Sequence, residues 1–298
     1  MKVAGFTFIR NAVKLDYPIV EAVRSILPLC DYVVVAVGQS DDDTLELVQS
    51  IDNQKIRIVK TVWDETLKEG GVVLAVETDK AFDAVGDDAD WCIYIQGDEC
   101  LHEIFLPIVK TAMEKWQNDV DTEGLLFKYR HFYGSYDFIG TSRLWYRNEV
   151  RIIKNDKSVR SYRDAQGFRK NGQKLKVRQL EAYIHHYGWV RHPQAQQRKQ
   201  LSMNLLWHTE EEVKLRVPDV EEFDYSGIDD LARFDGTHPD VMQRRIDALN
   251  WQFTFDPTQR KISIKERFSR FIEQLTGWRI GEYKNHSGEF AAKICDHR

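Results

Sequence analysis

Cysteine is scarce in this chain, and its spacing forms no pattern. Cys30, Cys92, Cys100 and Cys295 contain neither a CxxC pair nor metal-ligand spacing, so a zinc module or a redox dithiol is not indicated. Cys30 and Cys92 lie in apolar surroundings and read as packed thiols. A reducing, cytoplasmic setting is the simplest account. Long apolar runs are also missing. None approaches the roughly 18 residues that a membrane span requires. The first nine residues alternate and end at Arg10, the pattern of a strand and not of a cleavable signal. No G-x-G-x-x-G follows that strand, and no G-x-x-x-x-G-K-[ST] occurs anywhere. Their absence argues against a dinucleotide oxidoreductase and a P-loop NTPase. Neither an internal repeat nor a low-complexity linker is visible.

What is present suits one large α/β domain, alone or with an extension. The chain has 298 residues, 42% apolar and 30% charged, ordinary values for a globular protein. Charge is unevenly placed. Between Arg143 and Gln200 fifteen Lys and Arg face four acids, a local +11, so the rest of the chain carries −16 of the net −5. Such a block suggests an anionic ligand such as phosphate or pyrophosphate. A solvated lysine-rich surface is the competing account. Nucleic acid is disfavoured, because the molecule as a whole is acidic and no nucleic-acid module is legible.

The chain is organised around residues 91–99, WCIYIQGDE. An unbroken apolar run ended by Gly reads as a strand buried on both faces, and open α/β sheets bind ligands beyond the carboxyl ends of such strands. Asp98 and Glu99 therefore stand where chemistry is usually done, and hard oxygen ligands there suit Mg²⁺ or Mn²⁺. A solvated acidic turn is the plainer reading. Further strands are expected at 2–9, 31–37 and 56–59, with helices at 19–27, 45–50, 70–85 and 101–116, and Asp16 as an N-cap. This is a doubly wound, mostly parallel sheet. Its strand ends carry Arg10-Asn11, Ser40–Asp42, Trp63-Asp64 and Gly97–Glu99 along one edge. From Gly124 short strands at 124–132, 144–146, 150–154 and 182–185 suggest a mixed second half. Helices return at 194–209 and from Thr237 to about Trp251.

The chain resembles the family 2 glycosyltransferases with the GT-A nucleotide-sugar fold, over roughly residues 3–200. Phe6-Thr7-Phe8-Ile9-Arg10-Asn11-Ala12 looks like the family's first strand and nucleotide-side loop. Ser40-Asp41-Asp42-Asp43-Thr44 is similar to its S-T-D-x-T turn, and Gly70-Gly71 with Leu74-Ala75 resembles the helix before the metal strand. Tyr94-Ile95-Gln96-Gly97-Asp98-Glu99 falls on its D-x-D, with Asp98 on the final Asp. Arg151-Ile152-Ile153-Lys154-Asn155 and His185-His186-Tyr187-Gly188-Trp189 resemble a subset of bacterial members. Two departures stand out. Val37 and Gly38 replace the acids of the second-strand turn, and Gln96 replaces the first Asp of D-x-D.

The resemblance implies a GT-A-like (Rossmann-like) catalytic domain over 1–200, with a nucleotide-binding half at 1–120 and an acceptor and metal half at 121–200. A helical C-terminal extension follows at 201–298. Asp98, with Glu99 and a late His186, is the expected ligand set for Mg²⁺ or Mn²⁺, although Glu99 serves equally as a helix cap. Because neighbouring strand residues face opposite ways, only one of His185 and His186 can reach an ion. Asp164 is the candidate general base and Glu181 the fallback; an ion pair with Arg163, Arg169 or Lys170 is the alternative for Asp164. Arg151, Arg191 and Lys199 are candidates for the pyrophosphate. Asn11 and Asp42 are candidates for the nucleoside, with turn bonding as the alternative. Trp145, Tyr187 and Trp189 suit stacking on a sugar or base, or simply the core.

Segment 260–284 carries Ile264, Phe268, Phe271, Ile272 and Leu275 on one helical face, with basic neighbours. Docking of that face on the catalytic domain is the favoured expectation, and peripheral contact with the inner membrane face the alternative. The expected activity is transfer of a sugar from a nucleotide-diphosphate donor (UDP-, GDP- or similar) to a glycan or lipid-linked acceptor, with inversion. A degenerate protein that binds nucleotide or glycan without turnover is one rival. A nucleotidyltransferase is another, weakened by the lack of glycine in the loop after the first strand.

Overall fold

The computed structural model describes residues 1–51, 54–67, 69–256, 264–276, 279, 282 and 284–287; Cys295 lies outside them. Its first half alternates strand and helix: β1 (Val3–Ile9), α1 (Ile19–Ile26), β2 (Tyr32–Gly38), α2 (Thr44–Gln49), β3 (Ile56–Thr61), α3 (Val72–Asp83) and β4 (Trp91–Tyr94). These strands lie in the order β3-β2-β1-β4, all parallel. Their unbroken apolar runs have a direct cause. Val33, Val35 and Val37 of β2 pack against α1 and α2, while Tyr32, Val34 and Ala36 pack on the opposite face, with α3. Trp91 and Ile93 of β4 divide from Cys92 and Tyr94 in the same way. Both faces are covered, so no polar alternation survives. At Gly5 a Cβ would stand 2.8 Å from Val33 Cγ2 and 2.9 Å from Ile26 Cδ1, so α1 lies against bare backbone there.

The second half joins this sheet. After β5 (Glu99–Leu101) and α4 (Leu106–Trp116) come β6 (Gly124–Tyr133), β7 (Phe138–Gly140) and β8 (Asn148–Lys154). β8 enters antiparallel between β4 and β6. A small antiparallel sheet of β9 (Val159–Tyr162), β10 (Gly167–Lys170) and β11 (Gln173–Lys174) packs through Val159 and Phe168 into the α3-side core. The long β12 (Val177–Trp189) pairs parallel with β6 and antiparallel with β5. Helices α5 (Pro193–Asn204) and α6 (Glu210–Arg216), strand β13 (Leu231–Arg233, paired with β7) and helices α7 (Gln243–Asp247) and α8 (Ile264–Thr276) complete the order. The architecture is thus α/β, a parallel half continued by a mixed half.

Several local expectations are corrected. Residues 99–101 are a strand, because their backbone pairs with β12 instead of starting the next helix. Leu144–Tyr146 is loop, and the helix after His238 is only Gln243–Asp247. Asp16 caps nothing: it has a φ of 51° and its carboxylate pairs with Arg245 at 2.7 Å. In α8 the charged side docks, through Arg270 to Asp230 and Glu273 to Arg147. Phe268, Phe271 and Leu275 face outward, 55–70% exposed, so these three side chains of the expected stripe do not dock against the described residues, whereas Ile272 is partly buried. No helix among these is long and apolar enough to cross a membrane.

Phe6 is fully buried against Phe82 at 5.2 Å, Tyr94 at 5.2 Å and Phe168 at 6.1 Å, joining β1, α3, β4 and β10. Phe6→Ala is expected to cost about 3–5 kcal/mol. Urea unfolding checks this: the midpoint should fall with little change in slope.

Candidate active site

The loops after β1, β3 and β4 open onto one edge of the sheet, facing α5 and the turn between β9 and β10. Between them lies a cleft of about 470 Å³, lined among others by Asn11, Tyr17, Trp63, Asp98, Asp164, His186 and Lys199. The β2 loop is knitted to the β1 loop behind it. Asn11 N donates to Ser40 Oγ, its Oδ1 accepts from Asp41 N, and Asp42 accepts from Lys14 N at 2.7 Å and from Thr44. Asp42 is therefore a loop brace outside the cleft lining, whereas Asn11 reaches the lining.

Glu99 and Asp98, adjacent in sequence, have opposite fates. Glu99 is wholly buried and accepts from Arg151 Nε at 2.9 Å, Arg151 Nη2 at 2.8 Å, Tyr129 Oη at 2.7 Å and Gln96 N at 3.1 Å. Its oxygens are taken, so it is not a metal ligand. Arg151, 1% exposed, is likewise neutralised before it can serve a pyrophosphate, although it forms part of the cleft wall. Both expectations are corrected by this one pair.

Asp98 instead faces the cleft. Lys199 Nζ lies 2.9 Å from its Oδ2 and Arg191 Nη2 3.9 Å away, while His186 Nε2 is 3.7 Å from Oδ1. Burial alone would raise this carboxyl, but the cationic neighbours, Lys199 foremost, outweigh it and hold it well below the usual carboxylate range. Arg191 is fully buried. Its Nη1 donates to Gly188 O and Gln196 Oε1, but its buried Nη2 makes no hydrogen bond among the described residues. It acts on the cleft through Asp98 and does not line it. Lys199 does, and it also donates to Gly188 O at 2.9 Å. Tyr17, which the sequence did not flag, lies under both cations at 5.0 and 5.1 Å from its ring centre.

Asp164 sits at the lip, half-buried, between Arg163 and Ala165, which both take positive φ (56° and 62°). A turn held in that strained region is a precise mount for its side chain. Burial raises its pKa, partly offset by bonding to its own backbone and by Arg163. Gln96 supports the same turn by donating to Ala165 O at 3.2 Å. Glu181, the fallback base, is 76% exposed, paired with Lys128 and remote from the cleft lining. His185 is buried on the far face of β12, beside Arg130. Trp63, at the end of β3, stacks with Arg10 at the cleft wall. Tyr187 packs on Phe132 at 4.8 Å, and Trp189 on Tyr133 at 5.8 Å, so both belong to aromatic cores and not to the cleft. A second cavity of about 790 Å³ adjoins the first. Tyr146 and Gln166 line both, and Trp145, Glu149 and Arg147 line the second alone.

The donor set fits a divalent cation only in part. Among the described residues no group of three or more His, Cys, Asp and Glu could hold a metal. Asp98 Oδ1 and His186 Nε2 nonetheless face one another, and a Cβ at Gly188 would strike His186 Nε2 at 2.5 Å and approach Asp98 Oδ2 to 3.3 Å. That bare backbone leaves one carboxylate and one imidazole for an ion whose other ligands would be phosphate and water, a mixed set that Mn²⁺ accepts more readily than the oxygen-preferring Mg²⁺.

No protein-family model and no curated protein matches the chain. Solved structures do. The crystal structure of S. aureus TarS 1-349 is 15% identical, with a TM-score of 0.41 and coverage of 73% of this chain and 69% of that one. Glucosyl-3-phosphoglycerate synthase from Mycobacterium tuberculosis, in complex with Mn²⁺, uridine-diphosphate and phosphoglyceric acid, is 18% identical, with a TM-score of 0.30 and coverage of 44% and 43%. A 4-diphosphocytidyl-2C-methyl-D-erythritol synthase from Anaerococcus prevotii is 10% identical, with a TM-score of 0.32 and coverage of 52% and 70%. Likeness at this level carries no residue roles to the present chain.

Two outcomes follow from the site. Glu99→Ala strands the Arg151 charge in the interior and is expected to cost about 3–5 kcal/mol, read as a lowered midpoint of chemical unfolding. Glu149, buried beside Asn285, is pushed by burial from its usual 4.5 up to about 7, despite Arg151. The folded state then holds its proton where the unfolded state has released it, so stability falls as pH rises from 4.5 to about 7. Glu149→Gln should remove that part of the decline, as seen by comparing melting midpoints across the interval.

Proposed function

We propose that the cleft binds the diphosphate of a nucleotide-sugar donor and that the protein is a glycosyltransferase of the family 2 type. The observation that carries this reading is convergence: the acidic end of β4, Lys199 from α5 and His186 from β12 meet around one cleft, with Asp164 at its lip. A fixed cation beside the carboxyl end of a parallel strand suits a leaving diphosphate. Lys199 meets the phosphates directly, and Arg191 supports Asp98 from behind. Asn11 and Trp63 form the wall for the nucleoside. A divalent cation, Mg²⁺ or Mn²⁺, would be held by Asp98 and His186 and would stabilise charge on the departing diphosphate.

Inverting displacement assigns the remaining roles. The acceptor oxygen bonds to the anomeric carbon while the bond from that carbon to the diphosphate oxygen breaks, the electron pair leaving with the nucleoside diphosphate. The hydroxyl proton passes to Asp164, whose raised pKa suits a general base. The second cavity, joined to the cleft at Tyr146 and Gln166, is the route we assign to a glycan or lipid-linked acceptor. One observation favours the rival reading of a binding protein without turnover: Gln96 stands at the expected first acid and is engaged with Ala165 O.

Calorimetry with UDP, GDP and CMP, with and without Mn²⁺, tests the assignment. A diphosphate should bind more tightly than CMP, and equal or absent binding of all three would remove the donor site. Asp164→Asn is expected to leave nucleotide affinity unchanged and to lower turnover of the donor by about 10²–10⁴-fold, measured as release of nucleoside diphosphate. Binding without any release by the native protein would favour the rival.

A further inference from the structure

We infer that His131 is a positioning residue that fixes, through a chain of hydrogen bonds, which nitrogen of His186 faces Asp98; its role toward a cation rests on the function proposed above. The chain begins at a group with no choice. The carbonyl of Tyr146 can only accept, and it lies 2.8 Å from His131 Nε2, so that nitrogen carries a proton. His131 is 3% exposed, and its two ring nitrogens are engaged by Tyr146 O and His186 Nδ1. A neutral imidazole has one N–H. Its Nδ1 is then a lone pair, and it lies 2.9 Å from His186 Nδ1. His186 must donate along that line, which leaves its Nε2 as the nitrogen offered to the cleft.

The surroundings prevent the chain from running the other way. The His131 ring is stacked between Tyr129 at 5.4 Å and Trp145 at 5.0 Å, with Tyr146 edge-on at 4.4 Å. A ring so enclosed cannot flip to put carbons where its nitrogens now bond without displacing three aromatic side chains. At the far end, His186 Nε2 and Asp98 Oδ1 are 3.7 Å apart, too far for a good hydrogen bond and with bare Gly188 beside them. Lys199 already holds Oδ2 at 2.9 Å, so Oδ1 and His186 Nε2 are the pair of atoms left facing each other for a further cation. Metal-ligating histidines in general depend on the partner of their other nitrogen for orientation and basicity. Here that partner is a second histidine, on β6.

Two measurements decide the matter. In the metal-free native protein, ¹⁵N–¹H correlation of the imidazoles should show His186 protonated on Nδ1 and His131 on Nε2; the opposite assignment overturns the relay. Binding of Mn²⁺ with UDP, followed by the loss of free-ion EPR signal, should weaken by about 10–100-fold in His131→Phe, which keeps the stacking but accepts nothing. His131→Asn places an amide oxygen near the lost Nδ1 and should restore most of the affinity. Unchanged affinity in His131→Phe, or no recovery in His131→Asn, overturns the relay. If the native protein binds Mn²⁺ but no UDP, with the imidazole assignment as expected, the relay stands and the donor assignment falls.

Discussion

The buried pair of Glu99 and Arg151 is the constraint on which the rest of the site depends. A carboxylate with no exposure must have its lone pairs met, and here two guanidinium nitrogens, a tyrosine hydroxyl and a backbone N–H meet them. These partners come from β8, β6 and the turn after β4, so one side chain ties three strands at the point where the parallel half of the sheet gives way to the mixed half. Such a pair contributes little net stability over a well-packed apolar core. What it secures is register: with Glu99 turned inward, its neighbour Asp98 is turned toward the cleft.

The positive charge of the middle segment is largely consumed within the fold. Arg160 pairs with Asp83, Lys170 with Glu123 and Asp156, Lys176 with Asp121, Arg178 with Asp119, and Arg147 with Glu282. These exposed pairs are worth little individually. They explain how an acidic protein can carry a block of +11 without a basic face of the same size. Lys199 and Arg191 remain close to Asp98, where low local dielectric makes each charge count for more.

The strands of the parallel half were legible because burial on both faces leaves unbroken apolar runs, as in 31–37 and 91–95. Asp98, His186, Lys199 and Asn11 were also legible as candidates, from strand ends and from the resemblance. What was lost depended on partners distant in sequence. Nothing local distinguishes Glu99 from Asp98, since the difference is an arginine 52 positions away. Nor does the sequence reveal β5, which exists only through pairing with β12, or His131, a histidine in mid-strand whose meaning lies in the ring across from it. Arg151 and Glu181 read alike as charges in the sequence; only the structure shows that one is sealed in a buried pair and the other lies exposed beside Lys128.

Asp98 and His186 stand on segments bound together by the sheet itself. The Tyr187 N–H donates to the Asp98 carbonyl at 2.8 Å, and His186 is in register with Glu99. Their separation is therefore settled when the chain folds and not when a ligand arrives. The loss of freedom that any binding pocket demands is met in advance here, which leaves more of each later contact to appear as affinity. Two side chains mounted in this way on paired strands form a fixed frame, separate from the loops that complete the cleft wall.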